Sequence, residues 1–337
     1  MLKKTIRRLG ALAMVLAMAV SVFAVNASAT GEETIPAPNI TKMQKELQVS
    51  NGEISETFDF VAKYTGKSDD TTCDDPYMMV DGVKTTITAN NMDFITINSA
   101  AFTNATTTST VDAAINLNGD FEGPGTYYFD VKETAKNTAG MTYDQVTKKL
   151  VVQHYSDGST KYFLVNKTSD TAKDDGVFHN KYEASTLTIK KIVDGLQGDK
   201  GKDFTAKVKF TAPAGMTVNS TITYGNQTIA PAAWVNGEVT VEITLHDGTD
   251  NDVIFTNVPY GVVYNVTETD YSGVGYTTTY DNQTGTIEAA ATNVTVTNTK
   301  EGTTPGGVIM TIAPYALMVV LAGAFAVVFL TRRNRAE

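Results

Sequence analysis

Thr186-Leu187-Thr188-Ile189-Lys190-Lys191-Ile192-Val193 decides how this chain is read. Side chains of a β-strand alternate with a period of two, so Leu187, Ile189, Lys191 and Val193 share one face. Lys191 therefore stands in an apolar row from which ionisable groups are normally excluded. Glu268 repeats the anomaly behind Tyr264 and Val266, and Asn298 repeats it behind Val294 and Val296. The first half of the chain holds a matching set in the same order. Glu133 is in phase with Tyr127, Phe129 and Val131, and Asn180 with Phe178. Lys45 is in phase with Met43, Leu47 and Val49, while Lys42, in phase with Ile40, is the competing lysine.

The surrounding sequence has one texture. Short alternating runs rich in Thr, Val, Tyr and Phe include 126–132, 150–155, 239–245 and 294–298. Asp157-Gly158, Asn236-Gly237 and Asp247-Gly248 separate several of them as turn signals. Alternation with evenly spaced turns predicts an all-β chain of sandwiches rather than βαβ units. Val177-Phe178-His179-Asn180 closes one copy of the plan and the 186–193 stretch opens the next. The boundary falls near Glu183-Ala184-Ser185, across a short junction without a Gly/Ser-rich stretch, which predicts a stiff connection.

Both ends are addressed to a membrane. Lys3, Lys4, Arg7 and Arg8, the apolar run 9–25 and Ala27-Ser28-Ala29 read as a secretory signal peptide. Residues 308–330 form an uncharged stretch long enough to span a bilayer, and Arg332, Arg333 and Arg335 mark its cytoplasmic flank. The region between is expected outside the cell. The whole chain carries a net charge of −10, an acidity unsuited to nucleic acid or anionic lipid. Cys73 is the only cysteine, so no internal disulfide can brace the exported region, and its polar surroundings read as a solvated loop.

Lysine, glutamate and asparagine aimed into one core have a joint chemistry. Burial lowers a lysine pKa and raises a glutamate pKa, so the pair can exist as neutral amine and neutral acid. The amine is then a nucleophile toward the asparagine carboxamide, and the acid can polarise the carbonyl and shuttle protons as ammonia leaves. Folding supplies the proximity. His154, His179 and His246 show no ligand spacing, and the acidic runs 69–75 and 247–252 lack an ordered calcium-loop pattern. Neither a metal nor a cofactor is expected, and the lone Trp234 reads as a packing residue.

On these residues the chain resembles the backbone pilins of sortase-assembled streptococcal pili. The resemblance rests on 186–195, Gly198-Asp199, Lys202-Asp203-Phe204, 258–271 and Val296-Thr297-Asn298, and more loosely on 45–49, Phe58-Asp59-Phe60 and 125–133. It implies two tandem Ig-like, CnaB-type β-sandwiches: a signal peptide over 1–29, domains over 30–183 and 184–301, a sorting signal over 302–307, a transmembrane helix over 308–330 and a basic tail over 331–337. It also implies internal isopeptide bonds Lys45–Asn180 and Lys191–Asn298, promoted by Glu133 and Glu268, in a structural protein rather than a turnover enzyme.

Thr303-Thr304-Pro305-Gly306-Gly307 resembles a sortase sorting signal, with cleavage expected between Gly306 and Gly307 and Gly306 standing where threonine is usual. The resembled family places the acceptor amine seven residues before the closing asparagine, at Lys173 here, with Lys167 as the neighbouring competitor. The implied partners are further copies of the chain in a head-to-tail fibre, a sortase transpeptidase, peptidoglycan, and ancillary pilins or a host ligand. The alternative in the same compartment is a wall-anchored adhesin that is not polymerised.

Overall fold

The computed structural model describes residues 40–68, 74–88, 93–166, 174–302 and Ala322. From residue 40 to 302 its regular elements are β-strands and three short 3₁₀ turns, Pro231–Ala233, Thr249–Asn251 and Ser272–Val274. The all-β expectation holds there. Cys73, Lys167, Lys173, the signal-peptide residues 1–29 and the sorting signal 303–307 lie outside the described residues, as does the 308–330 span apart from Ala322. Among the described residues no helix is long and apolar enough to cross a membrane.

The strands build two lobes on one arrangement. In the first, Lys42–Ser50 runs parallel to the start of Val177–Asp194 and antiparallel to Ser109–Leu117. The sheet facing it has the order Thr160–Asn166, Thr147–His154, Gly125–Glu133, Phe60–Lys67. In the second, the end of Val177–Asp194 runs parallel to Ala291–Thr299 and antiparallel to Val253–Pro259. Its facing sheet has the order Glu238–Leu245, Phe204–Thr211, Val263–Glu268, Thr284–Thr286. Each lobe thus pairs its opening strand in parallel with its closing strand. Phe58, Phe94, Phe129 and Phe178 are buried in the first core, and Phe204, Phe210, Phe255 and Val266 in the second. Each fully buried side chain of this kind contributes about 1.5–3 kcal/mol.

No linker separates the lobes. The residues read as a junction lie inside Val177–Asp194, an 18-residue strand that serves both. Its burial changes phase at the middle. Phe178, Asn180, Tyr182 and Ala184 are buried on one side, then Leu187, Ile189, Lys191 and Val193 on the other parity, with Ala184 and Ser185 both buried at the crossing. A register irregularity against Val253–Pro259 falls between Ser185 and Leu187. A one-residue slip reverses the face of every later side chain, so a single strand feeds Asn180 to one core and Lys191 to the other.

The joint is braced from both sides. Asn257 donates from Nδ2 to the Glu53 and Thr221 carbonyls (2.8 and 3.0 Å) and accepts at Oδ1 from the Glu53 N–H (3.0 Å). Gly52 makes room for it, since a Cβ there would stand 2.4 Å from Asn257 Oδ1. Buried Glu56 accepts from Thr138 Oγ1 (2.7 Å) and from Asn219 Nδ2 of the second lobe (2.9 Å). The short junction expected from the sequence is here a continuous strand, with Asn257 and Glu56 hydrogen-bonded beside it.

Candidate functional site: two buried Lys–Glu–Asn clusters

All six residues singled out by strand phase are buried: Lys45, Glu133 and Asn180 in the first lobe, Lys191, Glu268 and Asn298 in the second. The exposed Lys42 instead pairs with Asp112 at the surface, so of the two competing lysines it is Lys45 that is buried. The two clusters are built alike. Lys45 is level with Phe178, two residues before Asn180, and Lys191 is level with Val296, two residues before Asn298. Lysine and asparagine are therefore diagonal neighbours on adjacent parallel strands, pointing into the same core. The glutamate ends a strand of the facing sheet, level with Phe60 in one lobe and Ala206 in the other.

In the first cluster, Lys45 Nζ lies 2.8 Å from Glu133 Oε2. The approach is close but off the hydrogen-bond direction, so neither atom has a well-aligned partner among the described residues. Asn180 Nδ2 donates to Glu133 Oε1 (2.7 Å), and Asn180 Oδ1 accepts from the Asp144 main-chain N–H (2.7 Å). In the second cluster, Lys191 Nζ donates to Glu268 Oε1 (2.7 Å) and Thr278 Oγ1 to Glu268 Oε2 (3.1 Å). The Glu268 N–H is taken up by the Tyr280 hydroxyl (2.9 Å). Asn298 is fully buried, and neither its Oδ1 nor its Nδ2 has a partner among the described residues. An aromatic ring borders each amine, Phe58 at 4.8 Å from Lys45 Nζ and Phe204 at 4.3 Å from Lys191 Nζ.

Strand phase located the six principal residues but missed Asp144, Thr278 and Tyr280. The last two stand on Thr277–Asp281, where threonine and tyrosine are ordinary strand residues. Asp144 acts through its main chain, which carries no side-chain signature. Trp234 packs half-buried against the second core.

Burial holds Lys45 and Lys191 below the ordinary lysine value of 10.5, and the paired glutamate opposes that shift only in part. The amines are thus biased toward the neutral, nucleophilic form. A consequence can be read in Asn298→Ala, where Lys191 must remain a free amine. Between its lowered folded value and the unfolded value the unfolded chain binds more protons, so stability rises with pH across that window. Urea midpoints of Asn298→Ala should climb as pH approaches 10.5. Lys191→Met/Asn298→Ala should lack that climb, and parallel slopes for the two would contradict the assignment.

With this geometry in place, the chain's relatives take on meaning. Residues 185–300 match a family model described as a domain of unknown function, DUF7601. A pilin of Streptococcus pyogenes serotype M1 is 30% identical over 239 residues, covering 64% of this chain and 69% of that protein. Among solved structures, the major pilin of Streptococcus pyogenes is similar at 25% identity, with 77% of this chain and 98% of that chain covered and a TM-score of 0.45. The major pilin T3.2 of Streptococcus pyogenes is similar at 20% identity, with 78% and 99% covered and a TM-score of 0.46. A two-lobed β-protein with a buried Lys–Glu–Asn cluster in each lobe is the class that the geometry defines. By its identity to the curated pilin over that length, the chain belongs to the pilin family.

Proposed function

We propose that the chain is the backbone subunit of a covalently polymerised, wall-anchored pilus, built from two CnaB-type Ig-like sandwiches over 30–183 and 184–301. Each sandwich is closed by a self-formed amide, Lys45–Asn180 in the first and Lys191–Asn298 in the second. The observation that carries this reading is the duplicated cluster: lysine and asparagine diagonal on the parallel opening and closing strands, with glutamate facing them from the other sheet.

The reaction balances within each cluster. The lysine proton passes to the adjacent glutamate, leaving a neutral amine. Nζ attacks the asparagine Cγ, an Nζ–Cγ bond forms and the Cγ–Nδ2 bond breaks. Glutamic acid gives its proton to the departing nitrogen and recovers one from the attacking amine, so ammonia leaves and the acid is regenerated. Each cluster reacts once. Glu133 and Glu268 are the promoters.

Export by the 1–29 signal and retention by the 308–330 span would present Thr304-Pro305-Gly306-Gly307 to a sortase. Transfer of the Gly306 carbonyl to Lys173 of another copy is a head-to-tail contact and generates an open filament at the cell wall. Intact mass of the chain under denaturing conditions tests the first claim. The wild type is expected to be two ammonia molecules lighter than its sequence, and Glu133→Ala or Glu268→Ala only one. A wild type at its full sequence mass would remove the self-crosslinking. Lys173→Ala is expected to abolish the high-mass ladder of polymerised subunits, and a surviving ladder would remove that acceptor.

A further inference from the structure

The first cluster holds one group that its duplicate lacks. A main-chain N–H can only donate, so the Asn180 atom 2.7 Å from Asp144 N is the carbonyl oxygen, and this settles the orientation of the amide. Nδ2 consequently faces Glu133 Oε1 at 2.7 Å, while the other carboxylate oxygen stands 2.8 Å from Lys45 Nζ. Glu133 spans the attacking and the departing nitrogens, while the donor on the carbonyl oxygen is the Asp144 N–H.

We infer that the Asp144 main-chain N–H polarises the Asn180 carbonyl and holds the oxyanion formed when Lys45 attacks, while Glu133 carries the protons between the two nitrogens. This rests on the isopeptide reading above. Negative charge develops on Oδ1 as the Nζ–Cγ bond forms, and a preorganised donor at hydrogen-bond distance stabilises it. When the Cγ–Nδ2 bond breaks, the electron pair on Oδ1 returns to the carbonyl and ammonia carries away the Glu133 proton. A cleft lined by Glu133, Asp144, Gln145 and Val146 opens beside the cluster and offers the ammonia a way out.

The Asp144 side chain makes its own N–H a fixed donor. One carboxylate oxygen accepts from the Val146 N–H (2.8 Å) and the other from the His179 N–H (2.9 Å). The loop between Met141–Thr142 and Thr147–His154 is thereby tied to the residue preceding Asn180. Asp144 is a catalytic group through its main chain and a positioning residue through its side chain. In the second lobe Asn298 Oδ1 has no donor among the described residues, so bond formation there proceeds without this contribution and serves as a control within the same molecule.

The test follows both bonds in time. The full chain is translated cell-free, quenched in denaturant at intervals, and the cross-linked peptides of each lobe are quantified by mass spectrometry. Replacing aspartate at 144 by its α-hydroxy analogue turns the 143–144 amide into an ester, deleting the N–H while keeping the carboxylate. This variant is expected to form the Lys45–Asn180 bond on the order of 100-fold more slowly, with the Lys191–Asn298 bond at its wild-type rate. Asp144→Ala should slow the first bond by roughly 10-fold or more through lost positioning. The Asp144 charge itself raises the Lys45 pKa, so its removal alone would accelerate attack, opposite to the expected effect. A wild-type rate for the first bond in the ester variant overturns the assignment, as does equal slowing of both bonds. Failure of both bonds to form in the wild type would instead sink the isopeptide reading.

Discussion

Stretched between residues 174 and 302, the wild-type chain is expected to lengthen hardly at all, whereas Glu268→Ala should release one large unfolding step. The covalent path explains the difference. From 174 it follows the Val177–Asp194 strand to Lys191, crosses the proposed bond to Asn298, and leaves along the end of Ala291–Thr299. Both strands are already extended and parallel, so tension finds no slack. Without the bond, the 107 residues separating 191 from 298 enter the path. At about 3.3–3.6 Å per residue they add on the order of 350 Å of contour. Glu133→Ala should behave as wild type in this pull, because the Lys45–Asn180 bond is not on the path. It becomes loaded only when force enters near residue 40, and Glu133→Ala should then release the longer loop between 45 and 180. Single-molecule extension with these two attachment geometries would decide the matter. A wild-type step equal to that of Glu268→Ala in the first geometry would show that the second bond bears no load.

Much of this architecture is legible in the sequence because strand burial has a period of two. Met43, Lys45, Leu47 and Val49 are all buried in alternation, as are Leu187, Ile189, Lys191 and Val193. Phase alone therefore assigns six polar residues to the interior. The same rule misleads at residues 183–185. A break in alternation there reads as the end of one element and the start of another, whereas the strand continues and changes which face is buried. Only the presence of a second core, packed against the opposite side, distinguishes the two cases.

Asp144 illustrates the other limit. An aspartate two residues before Val146 suggests a local turn, since its carboxylate can cap a main-chain N–H two positions on. That the same turn aims its N–H at an asparagine 36 positions away is a tertiary fact. The clusters are duplicates in their side chains and in strand register, and they differ in the main chain around them. Asn180 is engaged at both ends, with a donor on its oxygen and an acceptor on its nitrogen. Asn298 stands beside a Lys191–Glu268 pair that is satisfied without it.

That isolation makes Asn298→Ala the substitution with the most divergent outcomes. If Asn298 were an ordinary buried amide, truncating it would delete an unpartnered polar group, a change that is near neutral or stabilising. If it is the acceptor of Lys191, the same truncation opens a 107-residue loop. By analogy with disulfides, a constraint over such a loop contributes on the order of 4–5 kcal/mol, which in a lobe of this size corresponds to roughly 15–20 °C in Tm. Calorimetry of Asn298→Ala is expected to show a loss of that order, confined to the transition of the second lobe. Glu268→Ala should fall further, since it removes the bond and also leaves the Lys191 ammonium buried without its counter-charge. An Asn298→Ala protein melting with or above the wild type would mean that no cross-link had formed there to be lost.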